Sequence, residues 1–145
     1  LKYKIIYILF VVLISFSLHS QSNVLDYKTK NKTNEVERTY LLDLLRAKLA
    51  KEFKQEFVFV VEHFKLSGDF AWFRGVTKRK DGKEIELAED LPYDCCHVEA
   101  LFKKVNGKWQ IAESAAFSTD VWWDGIQLRY PKAAKEIFQE SSDKN

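Results

Sequence analysis

The sequence predicts an α+β domain: one N-terminal amphipathic helix packed on a four-stranded antiparallel meander, followed by a short helical tail. Three observations carry this. Leucines recur at helical spacing over a single segment, residues 35–53. The later apolar segments are rich in Val and Phe and are separated by turn residues, as strands of a meander would be. Asn106-Gly107 stands between two of those segments, and both residues of that pair tolerate the positive φ of a tight hairpin turn.

The elements follow in chain order. Asn34 with Glu37 three residues on fits a capping box, so a helix is predicted from Glu35. Leu42, Leu45, Leu49 and Phe53, supported by Leu41 and Leu44, form its apolar stripe and carry it to Phe53. Glu56–Leu66 is the first strand, and Ser67-Gly68-Asp69 the turn after it. Phe70–Lys78 is the second strand, followed by Asp81-Gly82 and a polar connection over Lys83–Pro92. Tyr93–Val105 and Lys108–Phe117 form the last hairpin. The tail Thr119–Phe138 is predicted as one or two short helical turns about Pro131.

The chain has 145 residues, room for one domain. Its first twenty have a separate purpose. Lys2 and Lys4 precede an apolar run from Ile5 to Leu18, broken only by Ser15 and Ser17. That run is shorter than the roughly 20 apolar residues of a membrane span and suits a secretory signal. Cleavage after Ser20 is expected, with Ser22 the alternative. The expected division is a cleaved signal over 1–20, a flexible lead-in over 21–33, one α+β domain over 34–140 and a disordered tail over 141–145. The protein is thus expected in the periplasm or outside the cell, with no membrane attachment after cleavage. The formal charge of +2 comes from the signal: without Lys2 and Lys4, Lys plus Arg falls from 23 to 21 and equals Asp plus Glu. A neutral domain does not favour nucleic acid as a partner.

Strand register selects the candidate functional residues. Counting back from Asn106-Gly107 pairs Phe102 with Ile111, Ala100 with Glu113, Val98 with Ala115 and Cys96 with Phe117. Glu113 then falls on the apolar face. In the first hairpin, Phe64 and Leu66 share a face with Ala71 and Phe73, and the same alternation brings Glu62 inward near Gly75. A buried carboxylate must be paired, hydrogen-bonded or protonated. Either Glu62 and Glu113 reach a wet rim, or Arg46 on the helix neutralises one of them, or they line a polar pocket as a general base. The structural alternatives are favoured, because ion pairs in small domains perturb carboxylates equally well.

Asp94-Cys95-Cys96-His97 is the other conspicuous group. Adjacent cysteines on a strand point to opposite faces, and their Cα atoms lie about 3.8 Å apart across a trans peptide, below the usual disulfide range. A bond between them would need a distorted turn, so Cys96 is expected to act as a small core residue. Cys95, His97 and Glu99 share the outer face, yet no further Cys or His completes a metal set, and no metal or cofactor is expected. No Gly-rich phosphate loop or nucleophile elbow occurs. In the tail, Trp122 and Trp123 with Asp120 could bind a sugar ring or a partner, though closure of the open end of the sheet is favoured.

Leu44-Leu45-Arg46, Gly68-Asp69-Phe70-Ala71, Ala100-Leu101-Phe102-Lys103-Lys104, Asn106-Gly107-Lys108-Trp109 and Thr119-Asp120-Val121-Trp122-Trp123, in that order, resemble a widespread group of small exported bacterial proteins. The resemblance covers about residues 38–138, and the outline is similar to cystatin-like and nuclear transport factor-like cones. It implies no established activity and no catalytic residue. The expected function is a non-catalytic module that binds a small polar ligand or a partner protein. Candidate binding residues are Glu62, Glu113, Arg46, Trp122, Trp123 and Asp120. The alternatives are a small cone-shaped enzyme with isomerase- or dehydratase-like acid–base chemistry at Glu62 or Glu113, assisted by Arg46 or His97, and an inhibitor or immunity protein.

Overall fold

The computed structural model describes residues 23–139. The expected signal over 1–20 and the expected tail over 141–145 lie outside the described residues. In chain order the elements are β1 (Leu25–Asp26), α1 (Glu35–Phe53), β2 (Phe57–Ser67), β3 (Phe70–Arg79), β4 (Tyr93–Val105), β5 (Lys108–Ser118), α2 (Ile126–Arg129) and a 3-10 turn at Lys135–Ile137. The sheet is an antiparallel meander of five strands in the order β1-β2-β3-β4-β5. The expected α+β class is present, with one strand more than predicted. That strand lies in the segment expected to be a flexible lead-in: Leu25 and Asp26 pair with Leu66 and Lys65, and Tyr27 is buried against the core. Two residues carry too little pattern to read as a strand; only the pairing edge of β2 reveals them.

Leu41, Leu42, Leu45 and Leu49 of α1 pack on Phe64, Phe73, Phe102 and Phe117 of the sheet. The Phe53, Tyr93 and Phe117 rings meet edge to face at one end of this core. The capping box does not form. Asn34 is the N-cap residue but turns away from the helix: its Oδ1 accepts from the Asn31 N–H at 2.9 Å and its Nδ2 donates to the Thr29 carbonyl at 3.0 Å. Glu37 instead accepts from Tyr27 Oη at 2.8 Å, Trp109 Nε1 at 2.7 Å and Lys104 Nζ at 3.2 Å. Burial would raise the Glu37 carboxyl, but these three donors outweigh it and hold the group below its ordinary value. Burial, and then the hydrogen bond to the Glu37 carboxylate, push the Tyr27 phenol up to about 12.

Two β-bulges decide which side chains face inward. In β2, Val61 pairs with Gly75 and His63 with Arg74, so Glu62 is the extra residue and is exposed. In β5, Phe102 pairs with Ile111 but Leu101 with Glu113, so Ala112 is the extra residue. Beyond it the register moves by one: Ala100 faces Ser114 and Val98 faces Ala116, where plain alternation predicts Glu113 and Ala115. The Cys96–Phe117 pair also fails, because the register shifts again between Tyr93 and Val98. A one-residue shift sends a side chain through the sheet to the opposite face. Both carboxylates predicted on the helix-facing side are therefore elsewhere.

The opposite face of the sheet is also covered. Phe70, Trp72 and Leu101 pack under Ile126, Ala133 and Ile137 of the C-terminal segment, so the protein has three layers: helix, sheet and tail. His63 Nε2 donates to the Ile137 carbonyl at 2.6 Å and Lys65 Nζ to the Gln139 carbonyl at 2.8 Å, which pins the tail to β2. Cys95 and Cys96 form a disulfide across a cis peptide, where trans strand geometry was expected to keep them apart, and Cys96 still packs on the core as expected. The cis bond places the two Cα atoms 3.0 Å apart, closer than the trans geometry assumed from sequence.

Candidate functional site

β3 and β4 carry polar side chains onto the tail-covered face, next to its apolar patch. Arg74 is the register partner of Glu99, and Val76 that of His97. Glu99 is 2% exposed, the most deeply buried charged residue of the described chain. His97 Nδ1 lies 3.0 and 3.2 Å from the two Glu99 carboxyl oxygens, and His97 Nε2 lies 3.0 Å from the Ser118 carbonyl. A carbonyl only accepts, so Nε2 carries a hydrogen. A proton must then lie between Nδ1 and the Glu99 carboxyl, on one or the other. Burial pushes the Glu99 carboxyl above its ordinary value, with His97 and Arg74 partly offsetting the rise. Trp123 closes over this group, its ring 6.2 Å from His97 and 5.5 Å from the Arg74 guanidinium. Trp122 packs edge to face on Trp72.

This arrangement holds the tail where it leaves β5. Both ring nitrogens of His97 are committed, so the imidazole has no free nitrogen with which to accept a substrate proton. Trp122 and Trp123 are half-buried against the sheet face that carries Trp72. Beside Trp123 lies a hollow of about 170 Å³, lined also by Trp72, Arg74 and Phe138, too small for most ligands.

The remaining predicted residues are dispersed. Glu62 points to solvent from the β2 bulge. Glu113 lies on the tail side, where Arg129 Nη2 and Nε grip it at 2.9 and 3.2 Å. That guanidinium holds the Glu113 carboxyl below its ordinary value. Arg46 reaches neither carboxylate: it bonds Asp43 at 2.6 Å and covers the Phe59 ring at 5.4 Å. Asp120 is exposed, and its backbone N–H donates to Ser118 Oγ at 3.1 Å. Because the Glu113–Arg129 pair is part-exposed, Glu113→Gln is expected to lower stability only slightly, measured as a barely shifted urea midpoint.

A groove the sequence did not predict begins just beyond Val76 and His97, where β4 parts from β3. There the β3–β4 connection folds back over the end of β3. Arg79 fastens this connection: it pairs with Asp81 at 2.6 Å and Glu86 at 2.7 Å and donates to the Glu84 carbonyl at 3.2 Å. Gln55 ties the same loop to the end of α1, donating to the Glu86 carbonyl at 2.7 Å and accepting the Glu86 N–H at 2.9 Å. The fastened loop leaves a groove of about 520 Å³ whose walls include Val58, Thr77, Ile85 and the Cys95–Cys96 pair. Thr77 is 1% exposed, and its Oγ1 is buried without a hydrogen-bond partner. Such a hydroxyl loses its hydration and gains nothing in return. The sequence signal for this site was faint: a Thr among apolar strand residues, and two cysteines whose cis linkage was not legible.

Among the described residues, no group of three or more His, Cys, Asp or Glu side chains is placed to hold a metal ion, and no helix is long and apolar enough to cross a membrane. Comparison of the chain with protein-family models, curated proteins and solved structures finds no match.

Proposed function

We propose that the chain is an exported, non-catalytic module that binds a small molecule in the groove between the β3–β4 connection and the Cys95–Cys96 disulfide. One observation carries the reading: a fully buried, unpartnered Thr77 hydroxyl in the wall of a groove of ligand size. Orphaned buried polar groups are rare in folded proteins and call for an explanation; a polar molecule in the groove would supply Thr77 with the partner it lacks. The geometry lends less support to the acid–base alternative. Glu62 stands alone in solvent, Glu113 is neutralised by Arg129, and His97 has no free nitrogen. The space between α1 and the sheet, where a cone-shaped enzyme would hold its substrate, is filled by Leu45, Leu49, Phe73, Phe102 and Phe117.

Thr77→Val separates binding from folding. It removes the unpaired hydroxyl and keeps the shape, so the ligand-free variant is expected to be as stable as the parent or about 1 kcal/mol more stable in urea unfolding. In a small-molecule screen followed by amide NMR shifts, compounds bound to the parent are expected to move Val58, Thr77 and Ile85, and to bind Thr77→Val more weakly. A marked loss of stability in Thr77→Val would show that the hydroxyl serves the fold instead. Ligands that shift only residues outside the groove would also overturn the reading.

A further inference from the structure

We infer that the groove takes an organic anion, a carboxylate on a compact, largely apolar body that carries one polar group; this rests on the small-molecule reading above. The floor supplies the apolar part. Val58 is 40% exposed there although it is a β-branched strand residue, and Ile85 and the disulfide form the facing surface. A Val side chain left in water on a strand gains by being covered.

The rim supplies the charge. The groove-lining side chains include the cations Lys78, Arg79, Lys80 and Lys83, against a single acid, Glu84. Their commitments differ. Arg79 is spent on Asp81 and Glu86, and Lys80 is paired with Glu56 at 3.0 Å. Lys78 and Lys83 have no ion-pair partner among the described residues, and both are exposed. Two exposed ammonium groups, neither in a close ion pair although Lys83 feels the Asp81 carboxylate, stand at the mouth of a partly apolar groove; they attract an anion and leave a cation or a neutral sugar without a counterpart. Thr77 adds a hydroxyl that can donate to, or accept from, a polar atom on the buried part of the ligand. The ligand therefore enters body first, with its carboxylate at the lysines.

Matched pairs of probes test the class: phenylacetate with phenylacetamide, and 4-hydroxyphenylacetate with 4-hydroxyphenylacetamide, whose ring hydroxyl gives Thr77 a polar partner. Each is titrated into the full domain at low and high salt and followed by amide NMR shifts. The carboxylates are expected to move Val58, Thr77, Lys83 and Ile85, to weaken with salt, and to bind more tightly than their amides. Lys78→Gln with Lys83→Gln is expected to lower carboxylate affinity by about tenfold while leaving the fold intact, since both side chains are exposed. Amides that bind the groove as well as the carboxylates would overturn the anion assignment and leave the binding reading standing. If neither member of any pair moves the groove residues at millimolar concentration, both fall.

Discussion

Gly75→Ala is expected to destabilise the protein by about 3 kcal/mol, a large share of the stability of a small domain. The reason is steric. A Cβ at position 75 would stand 2.5 Å from the Val60 carbonyl oxygen and 2.9 Å from the Phe73 ring. The Val60 oxygen is backbone and cannot rotate away, so β2 must move relative to β3. This is the point at which Glu62 bulges out of β2, with Val61 opposite Gly75. The bulge brings the Val60 backbone close to β3, and only a residue without a side chain accepts that approach. Gly82→Ala is the control. Gly82 has φ +77° but nothing within 4 Å of an added Cβ, so it is expected to lose only about 1 kcal/mol to backbone strain. The measurement is a urea midpoint at unchanged slope. Equal losses at the two positions would refute the steric account of the bulge.

Glu99→Gln is expected to change how stability responds to pH. The folded-state carboxyl of Glu99 is raised above its unfolded value of about 4.3, first by burial. A raised group gives its full stability below the unfolded value and loses it as pH rises through the folded one. Over that window the native state holds the proton that the unfolded chain has released. Glutamine cannot ionise, and its amide can still donate to His97 Nδ1. The parent is therefore expected to be the more stable of the two at low pH, and its advantage to shrink as pH rises from about 4.3 through the raised value. The loss is about 1.4 kcal/mol for every tenfold by which folding tightens the hold of Glu99 on its proton. The lowered carboxyls of Glu37, Asp81 and Glu113 act in the opposite sense but are common to both proteins and cancel in the difference. Parallel stability curves from about pH 4 to pH 8 would mean that Glu99 does not hold the shared proton. Glu99→Ala is expected to cost more, about 3 kcal/mol, because it leaves Arg74 and His97 facing an empty site.

Both experiments bear on residues where sequence reasoning and structure part. Period-2 alternation places Glu62 and Glu113 inward, and it holds only while each strand keeps its register. Each strand carries a bulge next to the glutamate concerned. The close approach that the β2 bulge makes is accommodated by Gly75, and Gly75 was visible in the sequence as a small residue near Glu62. Its meaning was not, because a glycine in a strand marks a bulge, a bend or a ligand equally well. The β5 bulge at Ala112 has no local mark. The outer layer was partly legible. Phe70-Ala71-Trp72-Phe73 is apolar at both parities, which demands cover on both faces of the sheet. Only the tail, with Trp122 and Trp123, was long and apolar enough to supply it.

Helix and hairpin are settled by neighbours along the chain, and those the sequence specifies unaided. The helix over Glu35–Phe53 comes from leucine spacing, and the hairpin at Asn106-Gly107 from residues that tolerate positive φ, here +50° and +75°. The strand order follows because short connections join antiparallel neighbours. Which side chains meet across the sheet is settled only in the folded molecule. The bulges, the Cys95–Cys96 link, the pairing of β1 with β2 and the closing of the tail over Glu99 all depend on contacts between distant segments. Such contacts form only once the chain has folded back on itself, so no local pattern encodes them. The groove around Thr77 belongs to that second class: its residues come from β2, β3, the connection and β4, and they meet only when all four are in place.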